Sequence, residues 1–539
     1  MRITTKVIQN NSLNNINTNK LLQDKLSQQM STEKKVSRPS DDPIVAIRAL
    51  RLRTNVNQVT QYYEKNVPDA ESWLEVTESA LSSMSEVVTD MIAQCTKGSN
   101  EDLTTADRET ILTALKALRD EVYSTGNADY AGRYIFTGYR TDTSLTFEED
   151  TEKLYSITEQ IHNNKIDIVT YVNTDKLLDI NEDNYSDDGV NKGNVDYASL
   201  KEQDISQGEV YRIRLSYDNV DELKWDANNK PNIGIQIWDD ASKSHKDISE
   251  IDTNISYTAI SVYDNPYSRV GDNQIVLVKE TGELLLGANV YQKMMAVKDL
   301  ANTTTDEAEI RIQYEKSEWD STDLRPEHYF ACETPKEGNV LIDGQNICYN
   351  KTYLEGISDE DKQTIEYDVG LNQRIRVNTT ADEVFTHDIS RDVEDMIKAM
   401  EDTIAMEKQI ERFEKMLEKA DPAKEEYKVL ENQLAAAKKA FTLLNEKTQQ
   451  LFESGITKMQ GHLDAVNYAV TENGTRGQKL ELISNRLMSQ KTNFETLKSE
   501  NEDIDITEVA IKLSSAELTY SSALMATGKV LQNSLMNFI

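Results

Sequence analysis

Residues 131–143 read AGRYIFTGYRTDT, and this stretch separates two parts of the chain that differ in hydrophobic periodicity. Upstream, apolar residues recur every three or four positions, as in amphipathic helices, whereas short runs downstream alternate like half-buried strands. The glycines allow the backbone to turn, and the aromatic side chains can plug the end of a helical bundle. We therefore predict a domain lid, where helices give way to sheet, formed by Gly132, Arg133, Phe136, Gly138 and Tyr139.

A long helical pattern precedes this lid, from Ser40 to about Gly98. Its apolar stripe comprises Leu52, Val56, Val59, Tyr63, Trp73, Leu81, Met84, Val88, Met91 and Cys95. Pro68 interrupts the pattern and predicts a kink or a restart of the helix, with Asn66 available as a cap. A helix of this length is typical of a rod, since a globular core does not require it.

A second helix is predicted to start after Thr104, whose side chain can cap it together with Asp107 in the third position. Gly126-Asn127 favours a left-handed cap at the C-terminal end of this helix.

Residues 140–388 alternate apolar and polar positions and predict one or two β-rich domains inserted between helical halves. The strand candidates are 211–215, 233–238, 273–278 and 365–369, and Asp343-Gly344 indicates a hairpin turn. Three cysteines, Cys95, Cys332 and Cys348, are too few for a disulfide framework or a zinc site. We interpret them as buried or inert thiols; a Cys332–Cys348 bridge remains the alternative, because these two flank the predicted hairpin.

Helical periodicity returns near Ser390 and runs to Asp421-Pro422, beyond which a stripe with heptad spacing continues. The two stripes, joined by a proline-containing turn, predict an antiparallel helical hairpin over residues 389–455.

Both ends of the chain are amphipathic and lack a local globular partner. The residues assigned to this predicted assembly interface are Leu13, Ile16, Leu22, Leu26, Met30, Val509, Leu513, Tyr520, Leu531, Leu535 and Phe538. We expect the two ends to pair with each other and then with neighbouring subunits, and to become helical on assembly, when burial offsets the ordering entropy. The alternative is that both ends pack onto the bundle of their own chain.

The stretch SRPSDDPIVAIRAL, which starts at residue 37, predicts a stiff connector that leads into the long helix. Pro39 holds the preceding residue extended, and Ser40 can cap a helix whose first turn carries Asp41 and Asp42. Pro43 is tolerated so early because its missing N–H lies among the unpaired donors.

Composition and motifs narrow the classes of function. With 94 acidic and 59 basic residues the formal charge is −35, which argues against nucleic acid or an anionic membrane as a partner. The opening residues MRITTKVIQN lack the apolar core of a secretory leader, and no run of 18 apolar residues occurs. The sequence has no GxxxxGK[ST], HExxH or GxSxG motif, and its five histidines are isolated. We therefore predict neither an enzyme nor a cofactor or metal site.

Several stretches resemble the flagellin superfamily: MRITTKVIQNN, SRPSDDPIVAIRAL, TTADRETILTALKALRDEV, GRYIFTGYRTDT and, near the C-terminus, HLDAVNYAVTENGTRGQKLELISNRL with the run DIDITEVAIKLSSAELTYSSALMATGKVLQNSLMNFI. The resemblance covers about residues 1–145 and 456–539. It is closer to the hook–filament junction branch than to filament flagellins, which usually carry KDDAAG where this chain has SDDPIVA. The chain is larger than many family members, and its β-rich region and helical hairpin are extra.

The resemblance implies an α+β fold, in which an elongated helical coiled-coil rod from both terminal segments carries the inserted β-rich domain and the hairpin. The expected boundaries are 1–39 (inner coiled coil and connector), 40–139 (rod), 140–388 (outer β-rich domains), 389–455 (hairpin of the rod), 456–500 (rod and inner helix) and 501–539 (inner coiled coil).

The function implied by the resemblance is that of an extracellular structural adaptor of the bacterial flagellum, exported by the type III route without a cleaved signal. The expected partners are copies of the chain in a ring, the first hook-associated protein, flagellin and an export chaperone. Two alternatives stay open: a filament flagellin, and a module in which the β-rich region binds a glycan or a host surface.

Overall fold

The computed structural model describes residues 5–147, 151–174, 177, 200–223, 233–297, 308–336, 338, 341, 345–355, 363–423 and 425–536, with the backbone alone at 5, 8, 9, 264, 355, 425, 426 and 530–536. The predicted α+β class is confirmed, since long helices at both ends of the chain flank a β-rich region. The chain divides into two units: unit 1 comprises residues 1–71, 367–375 and 477–539, and unit 2 comprises residues 72–366 and 376–476.

The helices are α1 (Thr5–Thr32), α2 (Pro43–Gln61), α3 (Val67–Gly98), α4 (Thr105–Ser124), α5 (Ile248–Ile251), α6 (Ala288–Met295), α7 (Ala381–Val384), α8 (His387–Lys419), α9 (Glu425–Glu502) and α10 (Ile506–Met536). The strands are β1 (Asp129–Tyr130), β2 (Arg133–Tyr134), β3 (Tyr155–Ile161), β4 (Asp167–Asn173), β5 (Ser206–Arg214), β6 (Glu222–Leu223), β7 (Ile235–Asp239), β8 (Ser244–Asp247), β9 (Ser256–Ile260), β10 (Gln274–Val278), β11 (Glu283–Leu286), β12 (Ile310–Lys316), β13 (Ala331–Pro335), β14 (Asn346–Tyr349), β15 (Glu366–Gly370) and β16 (Gln373–Arg376).

A single π-helical turn, Tyr62–Asn66, joins α2 to α3 in unit 1. Val67 N–H donates to the Tyr62 carbonyl, five residues back, and Pro68 follows directly. A wider turn here accommodates a proline that has no N–H to donate, so the helix does not restart. The prediction of Asn66 as a cap is therefore wrong, and its side-chain amide instead donates to the Asp368 carbonyl at 2.7 Å.

The helical part of unit 2 buries the apolar stripes that the sequence indicated. On α3, the side chains of Trp73, Leu81, Met84, Val88, Met91 and Cys95 are fully buried. Helices α8 and α9 share a core that includes Phe413, Leu430 and Ala437, which confirms the predicted helical hairpin around Asp421-Pro422. The capping box of Thr104 and Asp107 at the start of α4 is also confirmed.

Two sheets form the β-rich part of unit 2. The first has the order β4-β5-β11-β10-β9, and the second runs β14-β13-β3-β12-β7-β8 with β6 beside β12, as far as the described residues extend. One buried cluster draws side chains from both sheets, among them Tyr155, Ile157 and Tyr314 from the second and Ile213 and Ile275 from the first. The two sheets therefore share a single core.

Two further details of unit 2 differ from expectation or decide between alternatives. Gly126 lies in a 3₁₀ turn, Thr125–Asn127, and does not take the left-handed conformation that was predicted, because the helix tightens before the chain turns.

Cys332 stands opposite Tyr349, and Cys348 opposite Glu333. Since neighbouring strand residues point to opposite faces, these two thiols cannot pair, and all three cysteines are free.

The predicted hairpin turn Asp343-Gly344 lies outside the described residues, although β13 and β14 on either side of it pair antiparallel.

Candidate assembly surface

The terminal helices α1 and α10 pack on each other within unit 1. Leu26, Val509 and Ala516 form the buried centre of this contact, and Ile504 and Leu513 pack against it. Three residues of the predicted interface, Leu26, Val509 and Leu513, are therefore brought together in one chain. The cluster is small for helices of 28 and 31 residues, so most of each helix surface remains open.

The other predicted interface residues have different positions. Leu13, Leu22 and Met30 are exposed, whereas Ile16 and Tyr520 are half-buried. The side chains of Leu531 and Leu535, and the whole of Phe538, lie outside the described residues. A single chain thus leaves much of the predicted apolar surface in contact with solvent.

Further exposed aliphatic side chains of unit 1 were missed by the sequence reasoning. They are Val7, Leu21, Ile44, Ile47, Leu50, Leu371, Leu482, Met488, Leu497, Ile506, Ile511, Leu518, Leu524 and Met525. On α2, Ile44, Ile47 and Leu50 are spaced by three residues and form an apolar face separate from the buried Val56 and Val59. This spacing is visible in the sequence and could have predicted the exposed face. On α10, apolar residues lie all around the helix, which is typical of a helix that is covered on several sides.

The connector after α1 pairs with the segment before α10. Glu33 takes a left-handed conformation, with φ of 57°, where α1 ends. Lys35 N–H then donates to the Glu502 carbonyl at 2.6 Å, and Ile504 N–H donates to the Glu33 carbonyl at 3.1 Å. Lys34 and Asp503 stand opposite each other in this short antiparallel pairing. The pairing fixes the alignment of the two terminal helices where they leave the connector.

A buried carboxylate strengthens this junction. The Glu502 side chain is only 4% exposed, and Arg53 on α2 donates to both of its oxygens, at 2.7 and 2.8 Å. The Lys34 ammonium lies 2.5 Å from Asp503 Oδ1 and 3.7 Å from Glu502. The hydrogen bond from Lys34 lowers the pKa of the Asp503 carboxyl, and the same bond raises the pKa of Lys34. We call these four residues the connector latch.

The predicted cap of α2 needs correction. The helix begins at Pro43, and its cap is Asp42, whose carboxylate accepts from the N–H groups of Ile44 and Val45 at 3.0 and 3.1 Å. Ser40 lies two residues too early for this role, and the prediction that it caps the helix is wrong. Asp41 accepts from Arg38 N–H at 3.2 Å and thereby closes the turn that contains Pro39.

The predicted lid lies in unit 2. Phe136 is buried and packs edge-on against Phe385, and the Arg133 guanidinium lies 5.0 Å from the centre of the Trp73 ring. Gly132 and Gly138 both have positive φ, 75° and 63°, a backbone conformation that favours glycine at these turns. Tyr139 is 65% exposed and its ring does not plug the bundle, because the chain turns outward at Gly138.

Charge is distributed unequally between the two units. Unit 1 contains 18 Lys or Arg and 16 Asp or Glu residues, a net charge of +2. Unit 2 contains 41 and 78, respectively, and so carries −37. The acidity of the chain therefore lies in unit 2, while the unit with the exposed aliphatic side chains is close to neutral.

Among the described residues, no helix is long and apolar enough to span a membrane. No group of three or more His, Cys, Asp or Glu side chains that could hold a metal ion occurs among the residues whose positions are described.

Residues 3–141 match the family described as the bacterial flagellin N-terminal helical region. Flagellar hook-associated protein 3 of Salmonella typhimurium LT2 is 32% identical over 166 residues, which are 30% of this chain and 52% of that protein. The protein of the same name from Escherichia coli K12 is 31% identical over 184 residues, 33% of this chain and 57% of that protein. The chain thus spans little more than half the length of these curated relatives.

Solved structures with a weaker likeness include FlgL from Xanthomonas campestris and the flagellar junction protein FlgL from Legionella pneumophila. The first is 11% identical with a TM-score of 0.28, over 84% of this chain and 99% of that one. The second is 10% identical with a TM-score of 0.27, over 85% and 100%. By the family match and the two curated relatives alone, the chain is similar in its N-terminal helical region to bacterial flagellins and, over parts of its sequence, to flagellar hook-associated protein 3.

Proposed function

We propose that this chain is a structural adaptor subunit of the bacterial flagellum, which joins the hook to the flagellin filament by forming a ring through its terminal helices. The proposal includes extracellular location at the junction, contact with the first hook-associated protein and with flagellin, and export by the type III route with a chaperone. It also includes the domain boundaries expected above, with residues 1–39 and 501–539 as the inner coiled coil.

The observation that carries the proposal is the exposed aliphatic surface of unit 1. Monomeric soluble proteins rarely leave so many large apolar side chains in water, and such patches mark interaction sites. Each side chain that becomes buried against another copy contributes on the order of 1–2 kcal/mol. Helices α1 and α10 contribute to this surface along their length, which favours a partner that is itself a pair of long helices.

The charge distribution supports the same proposal. Copies that meet through unit 1 bring nearly neutral surfaces together, since its net charge is +2. Copies that met through unit 2 would each bring a charge of −37 to the interface and would repel one another.

The test is complementation of a strain from which the gene has been deleted. With the gene absent, filaments should be missing from the cells and flagellin should accumulate in the medium. Unaltered chain should restore attached filaments, whereas Ile511→Asp with Leu518→Asp should not, because the two carboxylates cannot be buried between helices. Tyr468→Asp, at an exposed aromatic position of unit 2, is the matched control and should restore attachment.

Attached filaments in the deletion strain would contradict the proposal, as would full rescue by the α10 variant. The same strains separate the adaptor from a filament flagellin, because an adaptor should be a trace component confined to the hook end of sheared filaments. Abundance along the filament would favour the flagellin alternative.

A further inference from the structure

A patch on unit 1 combines exposed leucines with positive charge, and its residues belong to elements other than the terminal helices. It consists of Leu371 and Arg374 on the β15–β16 hairpin together with Lys479, Leu482 and Arg486 on α9. We call these five residues the hairpin patch. Lys479, Leu482 and Arg486 are spaced by three and four positions, which places them on one face of α9.

The hairpin is held in place by hydrogen bonds within unit 1. Asn66, at the end of the π turn, donates to the Asp368 carbonyl at 2.7 Å, and the Tyr367 hydroxyl donates to Asp69 Oδ2 at 2.5 Å. The Arg486 guanidinium donates to the Gln373 side chain. These bonds join the hairpin to both long helical segments, so the patch is presented on a fixed support.

The leucines of the patch are not needed to hold the hairpin. Leu371, in the turn that Asn372 completes with φ of 55°, is 79% exposed, and Leu482 is 73% exposed. Turn positions of this kind usually carry polar residues or glycine. Ile483, next to Leu482, is buried and supplies the contact of this helix with the interior.

The charge of the patch is opposite to that of the chain. Three cations and no carboxylate line the groove between the hairpin and α9, counting the described residues only. Asp368 forms an ion pair with Arg374 at 2.9 Å, and exposed Glu481 lies nearby on α9, so the local excess is small but positive. The chain as a whole carries −35, of which unit 2 contributes −37.

We propose that the hairpin patch binds a carboxylate-rich surface of a second copy of this chain, with the two leucines covered at the centre of the contact. Charge complementarity selects this occupant, because each copy offers a large excess of carboxylates and the patch offers cations around an apolar centre. The inference rests on the proposed self-association and adds a second, electrostatic contact to the apolar contact of the terminal helices. This contact offsets part of the repulsion between acidic neighbours.

Sedimentation velocity of the full chain over a concentration series tests this. Arg374→Glu with Lys479→Glu should weaken self-association about tenfold or more at 50 mM salt, because two attractive pairs become repulsive. The difference from the unaltered chain should shrink at 0.5 M salt, where the Debye length falls to roughly 4 Å. Leu371→Ser with Leu482→Ser should weaken association to a similar degree at both salt concentrations, since apolar contacts are not screened.

The matched control makes the same change of charge in unit 2, with Lys351→Glu and Lys415→Glu, both exposed. If this control weakens association as much as the patch variant, total charge is responsible and the proposal is overturned. Ile511→Asp with Leu518→Asp separates the two proposals. Loss of association in that variant with unchanged association in both patch variants would overturn this inference alone, whereas unchanged association in all three would count against the ring as well.

Discussion

Unit 1 and unit 2 differ in net charge and in how completely they bury their aliphatic side chains. Unit 2 carries −37 and buries most of its large apolar residues in helical and two-sheet cores, as Trp73 and Tyr314 illustrate. Unit 1 carries +2, has a small core around Leu26 and leaves aliphatic side chains exposed on α1, α2 and α10. The comparison shows that burial of aliphatic side chains is more complete in unit 2 than in unit 1, as the proposed self-association through unit 1 requires.

The largest change in the free energy of unfolding is expected from a substitution in the core of unit 2, and the matching substitution in the core of unit 1 should have a smaller effect. Trp73→Ala should lower the free energy of unfolding by about 3–5 kcal/mol, because the ring is fully buried against Tyr130 and Arg133. Leu26→Ala should cost only about 2 kcal/mol, since the cluster around it is small and can collapse. Thermal unfolding at low protein concentration measures both. Equal losses would contradict the idea that the core of unit 1 is incomplete in a single chain.

The second prediction concerns a buried carboxyl of unit 2. Burial raises the pKa of Glu159 from 4.5 to about 7, against the opposing effect of hydrogen bonds from Tyr314 and Ser216. Because the folded state holds this proton more tightly than the unfolded state, the contribution of Glu159 to the stability of unit 2 should fall as pH rises from about 4.5 to 7. The loss is on the order of 3 kcal/mol and levels off above that range.

Glu159→Gln should remove this contribution and so make the slope of stability against pH more positive than in the unaltered chain, since an amide does not titrate but its oxygen still accepts both hydrogen bonds. Urea unfolding at pH 5 and pH 8 measures the slope. Glu222→Gln, at an exposed position of β6, should leave the slope unchanged. A slope in Glu159→Gln equal to that of the unaltered chain would show that Glu159 does not contribute to the pH dependence.

The connector latch allows a test confined to unit 1. Arg53→Met removes both hydrogen bonds to the buried Glu502 carboxylate and leaves it only Lys34 at 3.7 Å, so the latch should be weakened by roughly 1–2 kcal/mol. Hydrogen exchange of the Lys35 and Ile504 amides, which pair across the connector, should become correspondingly faster. Arg51→Met, on the exposed side of α2, is the control. Unchanged exchange in Arg53→Met would show that the backbone pairing alone holds the connector.

The smallest effect is expected at the start of α2. Asp42→Ala should cost about 1 kcal/mol of local stability, because the N–H groups of Ile44 and Val45 lose their acceptor. Ser40→Ala, two residues earlier, should have no effect. Hydrogen-exchange rates of the Ile44 and Val45 amides distinguish the two positions. Faster exchange in the Ser40 variant would show that Ser40, and not Asp42, caps the helix.

The sequence was sufficient to predict a structural feature where that feature depends on local interactions or on a pattern that repeats with a fixed period. The stripe of α3, the Thr104–Asp107 capping box and the positive φ of Gly132 and Gly138 all follow from spacing or from backbone sterics. The helical hairpin at Asp421-Pro422 followed from two apolar stripes and a turn between them. The cap of α2 was misassigned by two residues, because Ser40 and Asp42 are both good caps and local preference does not choose between them.

Only the tertiary structure decided which distant residues meet. Glu502 becomes a buried carboxylate because Arg53 and Lys34 reach it from elements more than 440 positions away, and no local pattern encodes that contact. The same holds for the placement of β15 and β16, which makes Gln373 and Arg374 neighbours of α9. By itself the sequence determined the amphipathic helices and the total charge of −35, since both depend on composition and period. The division of that charge into a neutral unit and an acidic one depended on the fold, because unit 1 is assembled from three separate segments of the chain.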